Sequence, residues 1–336
     1  MVRRMVFFWI FFGTVFLFAD PLQYLVRTEP SATSLDTHTA GATTWYSSNN
    51  GYVYADMNFN FPFNGTTYDH VYINSNGMLS FSSSNIENDN EALPYSDEPQ
   101  SIYPYWDNLY PATLLDLVRI GNIKYETLGS GDSERFVVTW RNIPDAGLCL
   151  LNLCGKFNFQ VVLYQNGDIR FRYPGGTLDV TDGSSATIGV QENTTNYDQY
   201  SYNSSTIDQT FDILYTRKPL ITKTSIVTSD PVNGTTNPKR IPGATIRYCF
   251  TVDNISLEDA TGVVLTEDFT TTNKDKLTYV KSGKVIQNVS TSCDCAAISD
   301  TSGSFSTPTV TISIGTLNGA DTSTSRGCAY IEATID

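Results

Sequence analysis

The side chains able to do chemistry are few and scattered. The chain has two histidines, His38 and His70. A hydroxyl–imidazole–carboxylate relay needs its base beside a nucleophile. His38 lies in a polar N-terminal stretch and His70 beside a turn, and Gly-x-Ser-x-Gly does not occur. No phosphate-binding loop is present either. A carboxylate pair for glycoside cleavage stays open, because its separation is not legible in a sequence. No catalytic residue is therefore assigned. The oxygen ligands a calcium ion would want include Asp56, Asn74, Asp107, Asn108, Asp179 and Asp182. None has EF-hand spacing, and Asp and Asn also fill turns for backbone reasons. Asp107-Asn108 is the best metal candidate, and calcium is the one cofactor the side chains suggest. The aromatics Tyr103, Tyr105, Trp106 and Tyr110 crowd one short run and could stack on sugar rings. The same rings could form a core or a seam between sheets. Tyr197 and Tyr200 make a second candidate ligand group.

Cysteine usage and the N-terminus point to export. Arg3 and Arg4 precede an apolar run from Phe7 to Phe18, and Ala19 ends it. Residues 1–19 are expected to be a signal peptide cut before Asp20, and the only route to a membrane is that segment left uncleaved. Six cysteines in an oxidising compartment suit three bridges. With two histidines and no paired C-x-x-C, zinc is disfavoured. Cys149 and Cys154 are expected to pair across a short loop. Cys249 is expected to join Cys328 between strands, leaving Cys293 with Cys295. The alternative joins Cys249 or Cys328 to the Cys293–Cys295 turn. A formal charge of −14 disfavours nucleic acid as a partner, since phosphate neutralisation needs clustered Lys and Arg.

The elements that must position these groups read as strands. Phe59, Phe61 and Phe63 recur every second residue, so they share one face. Asn64-Gly65 breaks that run, and Val71 and Ile73 resume the alternation. Asn74-Ser75-Asn76-Gly77 turns the chain again before Leu79 and Phe81, and Asn166-Gly167 repeats the signal. Residues 83–100, polar and acidic with Pro94 and Pro99, read as a surface loop. A helical turn is expected only at Leu114–Val118. After Arg217-Lys218-Pro219 aromatics thin out, and Thr, Val and Ser take over. A domain boundary is expected there, dividing 20–217 from 218–336.

Residues 30–217 resemble the nidogen-like extracellular domain. The resemblance rests on Pro104-Tyr105-Trp106-Asp107, Gly121–Tyr125, Val137–Pro144, Asn158–Gly167 with Phe171–Tyr173, and Ala186–Val190, in that order. Residues 218–336 resemble the immunoglobulin-like conserved repeat domain of bacterial surface proteins, through Ile241–Tyr248, Ala260–Glu267 and Leu277–Gly283. The resemblance implies an all-β chain, with a nidogen-like β-sandwich followed by an immunoglobulin-like one. It implies an adhesive or accessory module at the cell surface or outside the cell, with no catalytic residues. The expected function is non-catalytic binding of an extracellular protein or glycan. Two alternatives stand beside it: an accessory module of a secreted hydrolase system, and a structural matrix or coat protein.

Overall fold

The computed structural model describes residues 24–30, 35–46, 50–82, 88–111, 121–144, 155–174, 179–269, 277–287, 292–320, 322 and 324–336. The signal segment, Cys149–Cys154 and the turn expected at Leu114–Val118 lie outside these residues. Among the described residues the regular elements are β-strands and short 3-10 turns, and the fold is an all-β sandwich. The chain divides into two compact units between Arg217 and Lys218.

The first unit is built from β1 (Tyr24–Pro30), β2 (Thr43–Trp45), β3 (Tyr52–Phe63), β4 (Thr66–Asn74), β5 (Leu79–Ser80), β6 (Ser101–Trp106), β7 (Asn122–Leu128), β8 (Arg135–Pro144), β9 (Lys156–Tyr164), β10 (Ile169–Arg172), β11 (Thr187–Gln191), β12 (Tyr197–Tyr202) and β13 (Phe211–Arg217). They form a seven-stranded sheet in the order β1-β13-β10-β9-β8-β7-β2 and a six-stranded sheet in the order β12-β11-β6-β5-β4-β3. The alternating residues of β3 and β4 meet those of β8, β9 and β10 in one core. Phe61, Phe63, Val71, Ile73, Trp140, Phe159 and Phe171 are all fully buried there. Trp140 stacks on Phe159 at 4.9 Å, and its indole N–H donates to the Asn74 carbonyl at 3.2 Å.

The hairpin turns follow two geometries. Asn64 and Gly65 both take positive φ, as a two-residue type I′ connection requires. At Ser75-Asn76-Gly77 and Gln165-Asn166-Gly167 only the glycine does. There the chain closes with i to i+3 bonds from Gly77 N–H to Asn74 and from Gly167 N–H to Tyr164, a three-residue loop with a glycine bulge. The first of these turns is buried rather than exposed, with Ser75 and Asn76 wholly covered. A Cβ on Gly77 would lie 1.9 Å from the Tyr105 carbonyl oxygen, so β6 can cross the turn only because that residue is glycine.

Residues 88–100 are not the free surface loop their composition suggests. Leu93 and Tyr95 are buried against Met78, Tyr103 and Trp106. Their backbones are held by Gln199 and Gln191: Leu93 N–H donates to Gln199 Oε1 at 2.7 Å and Tyr95 N–H to Gln191 Oε1 at 2.7 Å. The loop thus covers the outer face of β6, β11 and β12.

The second unit holds β14 (Leu220–Ser229), β15 (Thr245–Asp253), β16 (Ala260–Asp268), β17 (Leu277–Gln287), β18 (Ser304–Ser306), β19 (Thr309–Leu317) and β20 (Arg326–Ile335). Four strands, β14-β15-β20-β17, face three, β16-β19-β18, and Phe250, Val252, Leu265, Ile312 and Ile331 fill the space between. A constant-type immunoglobulin domain has the same count. Here the last strand, β20, lies between β15 and β17, where that fold places its fifth strand.

The expected pairing of Cys249 with Cys328 and of Cys293 with Cys295 is corrected, and the alternative holds: Cys249 and Cys328 are each joined to the Cys293–Cys295 turn. Cys249 joins Cys295 and Cys293 joins Cys328, with Cα separations of 5.8 and 5.7 Å. Register explains the exchange. Cys249 lies opposite Tyr330, and Cys328 opposite Thr251. The two cysteines are therefore diagonal neighbours, roughly 7–8 Å apart, beyond comfortable bridging distance. Both face outward, and the segment 292–303 folds across them, so each takes one cysteine of the Cys293–Cys295 pair. Tyr330 O–H also donates to the Asp300 carbonyl at 2.9 Å, and Arg247 Nη1 to that of Cys295 at 2.5 Å.

Candidate functional site

The aromatic run from Tyr103 to Tyr110 is not an open platform. Tyr105 enters the main core, stacked on Phe159 at 5.3 Å. Tyr103 and Trp106 point to the other side of β6, beneath residues 88–100, with ring centroids 5.2 Å apart. All three have no solvent exposure, so they cannot stack on a ligand from solution. This corrects their assignment as ligand contacts. Tyr110 is half-buried. Tyr197 is 39% exposed on the edge strand β12, whereas Tyr200 is half-buried against the core.

Asp107 and Asn108 follow directly after β6. Asp107 accepts from Ser185 Oγ at 2.5 Å and from the Asn108 backbone N–H at 2.7 Å. Burial outweighs both bonds and raises its carboxyl above the ordinary value. Asn108 Oδ1 is buried with no hydrogen-bond partner among the described residues, an oxygen of the type a hard cation takes. No group of three or more His, Cys, Asp or Glu suited to a metal occurs among the described residues.

His38 has a partner that spacing alone did not reveal. Residues 35–42 run over the outer face of the seven-stranded sheet. His38 Nδ1 lies 3.0 Å from Glu126 Oε1, and Nε2 lies 2.8 Å from Thr139 Oγ1. The outline is that of a hydroxyl–imidazole–carboxylate relay. However, Thr139 Oγ1 also accepts from Gln160 Nε2 at 2.7 Å, and Thr139 is only 4% exposed. The buried hydroxyl has no room for a carbon centre beside it, and these side chains tie residues 35–42 to the sheet. Beside them Asp36 accepts from Arg135 at 2.7 Å and Arg172 at 2.9 Å.

This anchor gives the first unit an acid sensitivity with a definite sign. Burial pulls His38 below the ordinary value of 6.5, and Glu126 offsets only part of that. As pH falls the unfolded chain takes up this proton first. The contribution is therefore intact above about 6.5 and declines as pH drops through the folded-state value. Burial alone would raise Asp36, but Arg135 and Arg172 together hold it below 3.8. Its contribution is present above that value and is lost at more acid pH. Urea midpoints taken between about pH 8 and about pH 5 are expected to fall at the acid end, with a flatter profile in His38→Gln. An unchanged profile in that variant would remove His38 as the source.

The open aromatic surface lies on the β3–β4 hairpin. Tyr54 faces Tyr72, and Asp56 faces His70, across the strand pair. Because Val53, Ala55, Val71 and Ile73 point inward, Tyr52, Tyr54, His70 and Tyr72 must point outward. Tyr54 stacks on His70 at 4.7 Å and meets Tyr72 edge-on at 5.6 Å, while Tyr52 meets Tyr72 at 6.1 Å. Tyr52 and Tyr54 are 47% and 48% exposed. Cross-strand aromatic pairs stabilise a sheet by about 0.2–1 kcal/mol, which accounts for Tyr54 opposite Tyr72. It does not account for Tyr52 and Tyr54 left half in water on the edge strand β3, with His70 and Tyr72 half-buried beside them on β4. Asp69, beside His70 at 2.6 Å, and Asp56 supply acceptors at the margin. The signal was present in the sequence as the out-facing partners of the apolar positions.

The two sheets and their order define a β-sandwich with an aromatic outer strip. The family described as NIDO related matches residues 27–236, more than half of the chain, and the chain belongs to that family. The first unit is a nidogen-like domain. No curated protein and no solved structure matches the chain.

Proposed function

We propose that the chain is a secreted or cell-surface, non-catalytic binding protein, and that Tyr52, Tyr54, His70 and Tyr72 form the ligand face of its nidogen-like domain. The exposure of Tyr52 and Tyr54, in contact with the half-buried rings of His70 and Tyr72, carries the reading. Flat tyrosine faces receive the C–H faces of sugar rings, while Asp56, Asp69 and the phenol hydroxyls take the sugar hydroxyls. Two disulfides support an oxidising location, as does the basic-then-apolar sequence pattern of residues 1–19. The second unit serves as an immunoglobulin-like conserved-repeat spacer, a reading supported by its seven strands and by the Pro242-Gly243 turn ahead of β15. A glycan and matrix-protein array probed with the exported protein is expected to show saturable glycan binding. Hydrolysis of an array polysaccharide at enzymatic rates, or no binding to any glycan, would overturn the reading.

A further inference from the structure

A concavity elsewhere in the nidogen-like domain is lined by a different set of groups. It encloses about 190 Å³ beside β1, β12 and β13, between Tyr173, Tyr200, Phe211, Ile207 and Asp208. Three of these are aromatic rings. Tyr173 forms a fixed wall: it is 1% exposed, and its hydroxyl donates to the Pro104 carbonyl at 2.6 Å. Phe211 is 39% exposed and opens to solvent. Burial, and then Asp208, raise the Tyr200 phenol, so its ring stays neutral.

Asp208 is the one ionisable carboxylate in the lining. Its Oδ1 accepts from Thr210 N–H at 2.9 Å and Thr210 Oγ1 at 2.6 Å, and these bonds keep its carboxyl below the ordinary 3.8. The charge is therefore permanent at neutral pH and fixed in position by the turn. Oδ2 makes no hydrogen bond among the described residues, and no Lys or Arg lines the cavity.

Neutral aromatic rings together with one fixed negative charge complement a small organic cation. Ring quadrupoles attract an ammonium within about 6 Å of the centroid. The volume is below the roughly 300 Å³ at which ordinary ligand pockets begin, so it suits a head group rather than a whole oligosaccharide. We propose that this cavity binds an alkylammonium group, either the trimethylammonium of a choline moiety or the side-chain ammonium of a lysine. The proposal is independent of the outer strip on β3 and β4.

The test is a heteronuclear NMR titration of the whole exported chain with three probes: choline, Nα-acetyl-lysine amide, and 3,3-dimethyl-1-butanol, a neutral isostere of choline. A charged probe is expected to give saturable shifts at Tyr200, Asp208 and Phe211, and the neutral isostere none. Stronger binding of choline assigns the site to a quaternary head group, and stronger binding of the lysine amide to a peptide. Asp208→Asn, which preserves an acceptor for Thr210, is expected to weaken binding about tenfold, and Phe211→Ala to weaken it as well. Equal binding of the neutral isostere, shifts confined to residues outside the cavity, or full affinity in a folded Asp208→Asn protein would overturn the proposal.

Discussion

Truncation of Trp106 to alanine is expected to lower the stability of the nidogen-like domain by about 3–5 kcal/mol. Trp106 is fully buried, packed on Tyr95 at 4.8 Å and Tyr103 at 5.2 Å. Its removal leaves a cavity under residues 88–100, whose attachment depends on that contact and on Gln191 and Gln199. Urea unfolding followed by far-UV circular dichroism measures the loss. The alternative role, a ring that stacks on ligand, makes the opposite prediction: weakened binding at an unchanged urea midpoint. That outcome would return Trp106 to the binding surface and contradict the burial described here.

Opening the two disulfides of the second unit should have an effect at least as large. The bridges close loops of 46 and 35 residues. Chain entropy assigns about 4 kcal/mol to either loop taken alone. The loops share only residues 293–295, so the two contributions are nearly independent. The double variant Cys249→Ser, Cys293→Ser removes both and is expected to release segment 292–303 from the outer face of the four-stranded sheet. Protease digestion of that segment and thermal unfolding read the two consequences. Peptide mapping without reduction checks the connectivity, and a Cys249–Cys328 crosslink would contradict the diagonal register.

What was legible in the chain was whatever depends on neighbours in sequence. The alternation Phe59-Phe61-Phe63 identified the inner face of β3. Asn64-Gly65 marked a turn that does take two positive φ values. Less legible was whatever a distant segment decides. Nothing local to Tyr103 and Trp106 says that Leu93 and Tyr95 will fold over them. The spacing of Cys293 and Cys295 does not reveal that Cys249 and Cys328 are two register positions apart. His38 looked isolated because Glu126 and Thr139 are 88 and 101 residues away. Tyr52, Tyr54 and Tyr72 are a different case. They stood at the out-facing positions of a hairpin whose in-facing positions were read correctly, and the parity of the strand already placed them in solvent.

The claim that the outer strip is the ligand face is tested most directly by one comparison. The triple variant Tyr52→Ser, Tyr54→Ser, Tyr72→Ser is titrated, beside the unaltered protein, against the best glycan from the array. Only pairs worth about 0.2–1 kcal/mol each are lost from the sheet, so the variant should keep its circular dichroism spectrum and unfold cooperatively. Its affinity should fall on the order of a hundredfold, as expected when a cluster of aromatic contacts is removed. A folded triple variant that binds the glycan as tightly as the unaltered protein would contradict the account.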